Sequence, residues 1–225
     1  MIRIIFSIKL SLICLLSSTF AASTPAEFPA EWWKPVDVST APSWEVLPHQ
    51  AKEGEVVLSK RNELGLLSNF SHTPFNFEGK TYQSVEGLWQ SMKYPENKED
   101  IRMTWVGAEW KFKRDIVEQM IAFDAKKAGS LASKNMKKQN ENWVSYKGKK
   151  MTYKTSEKGE HYNLIKKIMW AKILQNPKIK KILLKTKNLK LIPDHKVKAD
   201  APPAWLYNVI WMEIRSKLQA SKNNF

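Results

Sequence analysis

The segment from Ser84 to Tyr94 (S-V-E-G-L-W-Q-S-M-K-Y) constrains the fold more than any other stretch of the chain. Read as a helix, it carries two separate stripes. Val85, Leu88 and Met92 recur at i, i+3 and i+7, the spacing that packs against a core. Glu86, Gln90 and Lys93 recur at i, i+4 and i+7 on another stripe, with Trp89 along its edge. Ser84 is a natural N-cap, which puts Glu86 in the first turn, near the partial positive charge of the helix end. A helix of this kind must lie at the edge of a core and offer a carboxylate, an amide, an ammonium and an indole to one side. That is the outline of a polar pocket wall.

The ends of the chain read differently. Residues 1–21 carry Arg3, an apolar run from Ile4 to Leu16 and small residues around Ala21, the pattern of a secretory signal peptide and hence of an exported protein, periplasmic or secreted. The single cysteine, Cys14, lies in that leader, so the exported chain is expected to use neither disulfides nor thiolate chemistry. No other segment is long and apolar enough to span a membrane. The formal charge of +15 is unevenly placed: residues 22–58 hold six acids against two lysines, whereas Lys178 to Lys198 holds eight lysines and one aspartate. That lysine-rich segment suits an anionic partner surface, or is a solvated basic face.

Residues 22–54, with five prolines and Trp32, Trp33 and Trp44, show neither helical nor strand periodicity. They are expected to form an extended arm that pins its tryptophans onto the domain surface. The domain is placed at 55–220. Its expected elements are a strand at Glu55–Leu58, a hairpin from Phe75 to Tyr82 turning at Glu78-Gly79, the helix after Ser84, and a helix from about Arg114 to Lys127 ending near Gly129. A polar loop or ribbon over 135–155 follows, then helices over 159–175 and from Pro177 to Lys185, a strand at 189–192 and a last helix at about 205–218. Several helices around a few short strands make an α+β domain, mostly helical.

Several chemistries are disfavoured. His49, His72, His161 and His195 are scattered, without a metal-ligand spacing, so no metal site is expected. No Gly-rich phosphate loop and no G-x-S-x-G elbow occurs. Besides the Glu86 stripe there is a second acidic point, with Asp194, His195 and Asp200 in a lysine-rich loop before Trp205. Its acids either belong to a site or simply turn the chain and offset nearby lysines. Asn69, between Ser68 and Phe70, either caps a turn or places its amide in the pocket.

The L-S-N-F run at Leu67–Phe70, the hairpin to Tyr82 and the S-x-E-x-x-x-Q-x-x-K-[FY] pattern from Ser84 to Tyr94 together resemble the signature of the NADAR (YbiA-like) superfamily. Ala125 to Gly129 resembles its A-x-x-x-G segment, and the resemblance spans about residues 56–218. Two stretches differ from the family pattern: Gly87, Leu88 and Trp89 follow the motif glutamate, and the terminal acidic segment is replaced by Asp194 to Trp205. The resemblance implies a largely helical α+β domain that handles ADP-ribose-like or ribosyl-phosphate ligands, small or nucleic-acid-linked, and cleaves an N-glycosidic bond without a cofactor. It implies Glu86 as the principal catalytic carboxylate and Lys93 as a phosphate contact or an amine attacking the ribose C1. Asn69 and Gln90 would orient the ribose, with Phe70, Trp89 and Trp205 about the ligand. Asp194 or Asp200 is the expected acid at the leaving nitrogen. The alternative is a catalytically inactive ADP-ribose or nucleotide-binding module.

Overall fold

In chain order, the computed structural model has strands β1 (Glu55–Val57), β2 (Phe75–Phe77) and β3 (Lys80–Tyr82), then helices α1 (Val85–Ser91), α2 (Arg114–Glu118) and α3 (Ala122–Lys138). Strands β4 (Trp143–Tyr146) and β5 (Lys149–Thr152), helices α4 (Glu160–Gln175) and α5 (Pro177–Lys185), strand β6 (Lys190–Ile192) and helix α6 (Tyr207–Lys222) complete it. The structure describes residues 27–222; the signal peptide expected at 1–21 lies outside them. The domain is α+β and mostly helical, as the patterning implies. Among the described residues, no helix is long and apolar enough to cross a membrane.

The strands form three two-stranded pairs. β1 and β6 run parallel with Val56 opposite Leu191, and two antiparallel hairpins are β2–β3 and β4–β5. Both hairpins turn on a residue of positive φ followed by glycine, Glu78-Gly79 at 48° and 87° and Lys147-Gly148 at 50° and 76°. Left-handed backbone at both central positions suits the right-handed twist of the flanking strands, and glycine adopts it without a Cβ penalty. The first turn lies where the sequence places it.

A main core joins most of these pieces, and a smaller cluster of Tyr94, Val117, Ala128 and Ala132 ties in α2 and α3. Val85, Leu88 and Met92 of the α1 segment are wholly buried, as their spacing implies. They share the main core with Ile165, Ile168 and Met169 of α4, Ile182 and Leu183 of α5, and Ile210, Trp211 and Ile214 of α6. Residues 27–54 run as short 3-10 turns along this body. Trp32 is fully buried and its indole donates to Glu63 Oε1 at 3.0 Å, while Trp33 donates to the Glu55 carbonyl at 3.0 Å.

The helix expected from about Arg114 to Lys127, ending near Gly129, is instead two helices, with Gly129 in the middle of the second. The break has a packing cause. Ser84 Oγ accepts from the Gly87 amide at 2.9 Å and donates to the Met120 carbonyl at 2.9 Å, so the end of α2 folds over the start of α1. A Cβ on Gly87 would stand 2.4 Å from that carbonyl oxygen, so the approach requires glycine here. The chain then restarts at Ala122 with φ at 49°, a left-handed conformation costly for a residue with a Cβ.

Lys172 of α4 is fully buried among apolar neighbours. Its Nζ donates to the Ser68 carbonyl and to Ser71 Oγ, both at 2.9 Å, below the face of Trp211. Burial lowers its pKa to about 7. The unfolded chain therefore binds the proton more tightly than the folded one between about pH 7 and the ordinary lysine range, and stability from this group rises with pH across that window. Lys172→Met removes both the titration and the two donated bonds. The melting-temperature gap between native and variant should widen from pH 7 to pH 10; a gap that stays constant would refute the depressed amine.

Candidate active site

A cavity of about 560 Å³ opens between α1, α3, the Ser68–Phe70 loop and the segment around Asp194. Asn69, Phe70, Glu86, Trp89, Gln90, Lys93, Asp194 and Trp205, eight of the nine residues singled out from sequence, line it together. Asp200 does not. It stands in the Lys198–Ala201 turn and lines an adjacent cleft with Lys154 and Lys198, so it is not placed to protonate a leaving group held beside Glu86. A larger cleft, about 860 Å³, lies elsewhere, between the two hairpin turns and Trp110, and contains none of these residues.

Glu86 is 3% exposed and its Oε1 accepts from Gln90 Nε2 at 2.7 Å. Burial raises its carboxyl above the usual range; the Gln90 bond and the charges of Lys93, Lys126 and His195 pull the other way without cancelling it. Lys93 is 7% exposed and follows the last turn of α1. Its Nζ donates to Ser133 Oγ at 3.0 Å and lies 5.5 Å from the centroid of Trp89 and 5.7 Å from that of Tyr153. Burial lowers it to about 8, against the opposing pull of Glu86. A carboxylic acid and an amine in one cavity are thus both displaced toward neutrality, the arrangement that readies groups for proton transfer near pH 7.

Asp194 behaves in the opposite way. Burial acts to raise it, but hydrogen bonds from His195 Nδ1, at 3.1 Å, and from Lys60 outweigh that and hold it below the usual range. Tyr207 OH donates at 3.3 Å to Oδ1, the oxygen that His195 also contacts, while Lys60 holds Oδ2. A carboxylate held ionised in this way is an electrostatic partner and a poor proton donor, which corrects its expected part as the general acid.

Trp89 is fixed by a residue the sequence did not single out. Its indole donates to His161 Nε2 at 3.0 Å, and burial lowers His161 to about 4, so the imidazole is neutral with its proton on Nδ1. Lys60, Phe123, Lys126, Ser130 and Tyr207 also line the cavity unannounced. Phe123, Lys126 and Ser130 do carry a signal, since they recur at i, i+3 and i+7 on one face of α3. Lys60 and Tyr207 have none, because they reach the cavity only through the tertiary fold.

Gly129 explains how Gln90 is held. A Cβ there would stand 1.6 Å from Gln90 Oε1, so the amide lies directly on the α3 backbone while it donates to Glu86. Gly129→Ala should push that amide off the carboxylate, moving the pH dependence of whatever reaction Glu86 serves while the melting temperature falls only modestly. A pH profile equal to that of the native protein would show that Gln90 does not set the state of Glu86.

No family model matches the chain, and no curated protein does. Among solved structures, the chain is similar to the NMR structure of the E. coli protein YbiA, at 18% identity and a TM-score of 0.47, over 74% of this chain and 85% of that one. YbiA gives its name to the superfamily whose signature the sequence resembles, and at this score the likeness says nothing about chemistry beyond what the site's own residues carry.

Proposed function

We propose that the chain is an exported hydrolase of N-glycosides, acting on an ADP-ribose-like or ribosyl-phosphate substrate. The observation that carries this reading is the pair Glu86 and Lys93, both buried in one cavity and both displaced toward neutrality. Export rests on the leader pattern of residues 1–21.

The chemistry follows from what such a bond needs. As the C1–N bond breaks, its electron pair leaves with the base and positive charge grows on the ribose. Water adds its oxygen to C1, and one proton must leave that water while another reaches the base nitrogen. Glu86 in its ionised form stabilises the cationic sugar and takes the water proton. Lys93, an ammonium more acidic than an ordinary lysine, supplies the proton to the nitrogen and, after product leaves, takes up the water-derived proton that Glu86 holds, which returns both groups to their starting states. Asp194, held ionised, adds negative potential at the cavity wall. Lys60 and Lys126 suit the phosphate of the substrate.

One preorganised electrostatic partner contributes about 3 kcal/mol to lowering such a barrier. Glu86→Gln should therefore cut turnover by about two to three orders of magnitude with binding largely spared. The assay is chromatographic detection of free base from NAD, ADP-ribosylated guanosine and a ribosylamino-pyrimidine. Release that survives the substitution would refute the assignment; tight ADP-ribose binding with no release from any of the three would favour the binding module.

The pH profile gives an independent check. kcat/KM should be bell-shaped, limited on the acid side by a carboxyl above its usual range and on the alkaline side near pH 8 by Lys93. Lys93→Met should abolish the alkaline limb together with most of the rate; an unchanged limb in residual activity would assign it to another group.

A further inference from the structure

Trp44 belongs to the segment before the resembling region, yet it lines the same cavity as Glu86. Its place is set by backbone pairing. The Val46 amide donates to the Asp194 carbonyl at 3.0 Å and the Lys196 amide to the Trp44 carbonyl at 3.2 Å, bridging Glu45 to His195. The Glu45 carboxylate is gripped by Arg61 through Nε at 2.8 Å and Nη2 at 2.7 Å, a two-pronged contact that fixes orientation. The arm is therefore tied to the loop that carries Asp194.

Across the mouth from Trp44 stands Phe123, at the start of α3. The rings meet edge to face at 6.2 Å, and Phe123 meets Phe70 at 5.4 Å. Trp44 is 44% exposed and Phe123 is 56% exposed, although each is among the largest apolar side chains of the chain. Lys60 Nζ lies 5.1 Å from the Phe70 centroid, and Lys126 Nζ lies 6.0 Å from it and 5.9 Å from that of Phe123. Exposed rings interleaved with ammonium groups, beside a buried acid–amine pair, match a flat heteroaromatic ring joined to phosphate.

We propose that Trp44 is a specificity-determining residue, and that the arm supplies an aromatic wall which, with Phe123, stacks on the heteroaromatic base of the ligand. The identity of that ligand as a base-bearing ribosyl phosphate rests on the reading above; the stacking does not require that the bond be cleaved. The Trp44 indole touches Phe123 edge to face and leaves much of its surface open, and every heteroaromatic base has a face that can stack on it.

Calorimetric titration in the Glu86→Gln background, which leaves ligands uncleaved, tests this with three probes. ADP-ribose carries a base remote from the ribosyl end, nicotinamide mononucleotide carries one at C1, and ribose 5-phosphate carries none. Trp44→Ala should weaken one or both base-bearing probes about tenfold and leave ribose 5-phosphate unchanged; the probe that loses affinity identifies which base meets Trp44. Trp44→Phe should recover most of the loss. Unchanged affinity for both base-bearing probes, equal loss of all three, or a parent protein that does not prefer a base would overturn the proposal. Base release by the native protein is read separately: its absence beside the expected binding pattern would end the hydrolase reading and leave the aromatic wall standing.

Discussion

Four successive carbonyls hold this molecule together at its site. The oxygens of Leu67, Ser68, Asn69 and Phe70 each accept a hydrogen bond from a different helix or helix junction. The donors are the Trp211 indole of α6 at 2.6 Å, the Lys172 ammonium of α4 at 2.9 Å, the Glu86 amide of α1 at 3.0 Å and the Ala122 amide at the start of α3 at 3.2 Å. The run that leaves a 3-10 turn at Leu67 thus has these four backbone acceptors satisfied by the surrounding layers, which is what allows it to pass between them. The same bonds orient those layers on one another. Asn69 and Phe70 are placed in the cavity wall, Glu86 is aimed from the first turn of α1, and the Ala122 junction sends Phe123 to the mouth. Shifting this loop would move the cavity walls on all sides together.

The charge distribution follows a related economy. Glu27 pairs with Lys187 at 2.8 Å, Glu55 with Lys190 at 2.9 Å and Glu63 with Lys185 at 3.4 Å, so acids from the N-terminal half meet three lysines of the Lys178–Lys198 segment. Exposed pairs of this kind contribute about 0–1 kcal/mol each. Their larger effect is on the field, since they offset part of the positive surface of that lysine-rich segment. At the cavity itself Lys60 is paired with Asp194, while Lys126 and Lys196 line the wall and keep it positive.

What was legible in the sequence was local. The two stripes of α1 are read from spacing alone because helical period separates Val85, Leu88 and Met92 from Glu86 and Gln90 before any tertiary contact is known. The hairpin turn at Glu78-Gly79 carries its own backbone chemistry. What was not legible depended on approach between distant segments. The break between α2 and α3 has no proline or glycine to announce it; it exists because Ser84 and Gly87 of another helix lie against Met120. Gly129 looks like a helix end and is a point of contact for Gln90. Asp194 and Asp200 are chemically alike in sequence, and only the fold gives one of them Lys60 and His195 and leaves the other in a surface turn.

The site's chemistry is a consequence of the same burial that forms the core. A solvated Glu–Lys pair would be fully ionised at neutral pH and would exchange no proton there. Enclosed beside Val85, Leu88 and Met92, each charge loses hydration, and neither recovers all of it from its partner, since burial outweighs the mutual attraction for both. The carboxyl is thereby raised above its usual range and the amine lowered to about 8. Gln90 and Ser133 keep its geometry by occupying one side each, Gln90 on the carboxyl and Ser133 on the amine. The apolar stripe of α1 thus acts on the polar one: the face that anchors the helix is what displaces the protonation of the face that lines the cavity.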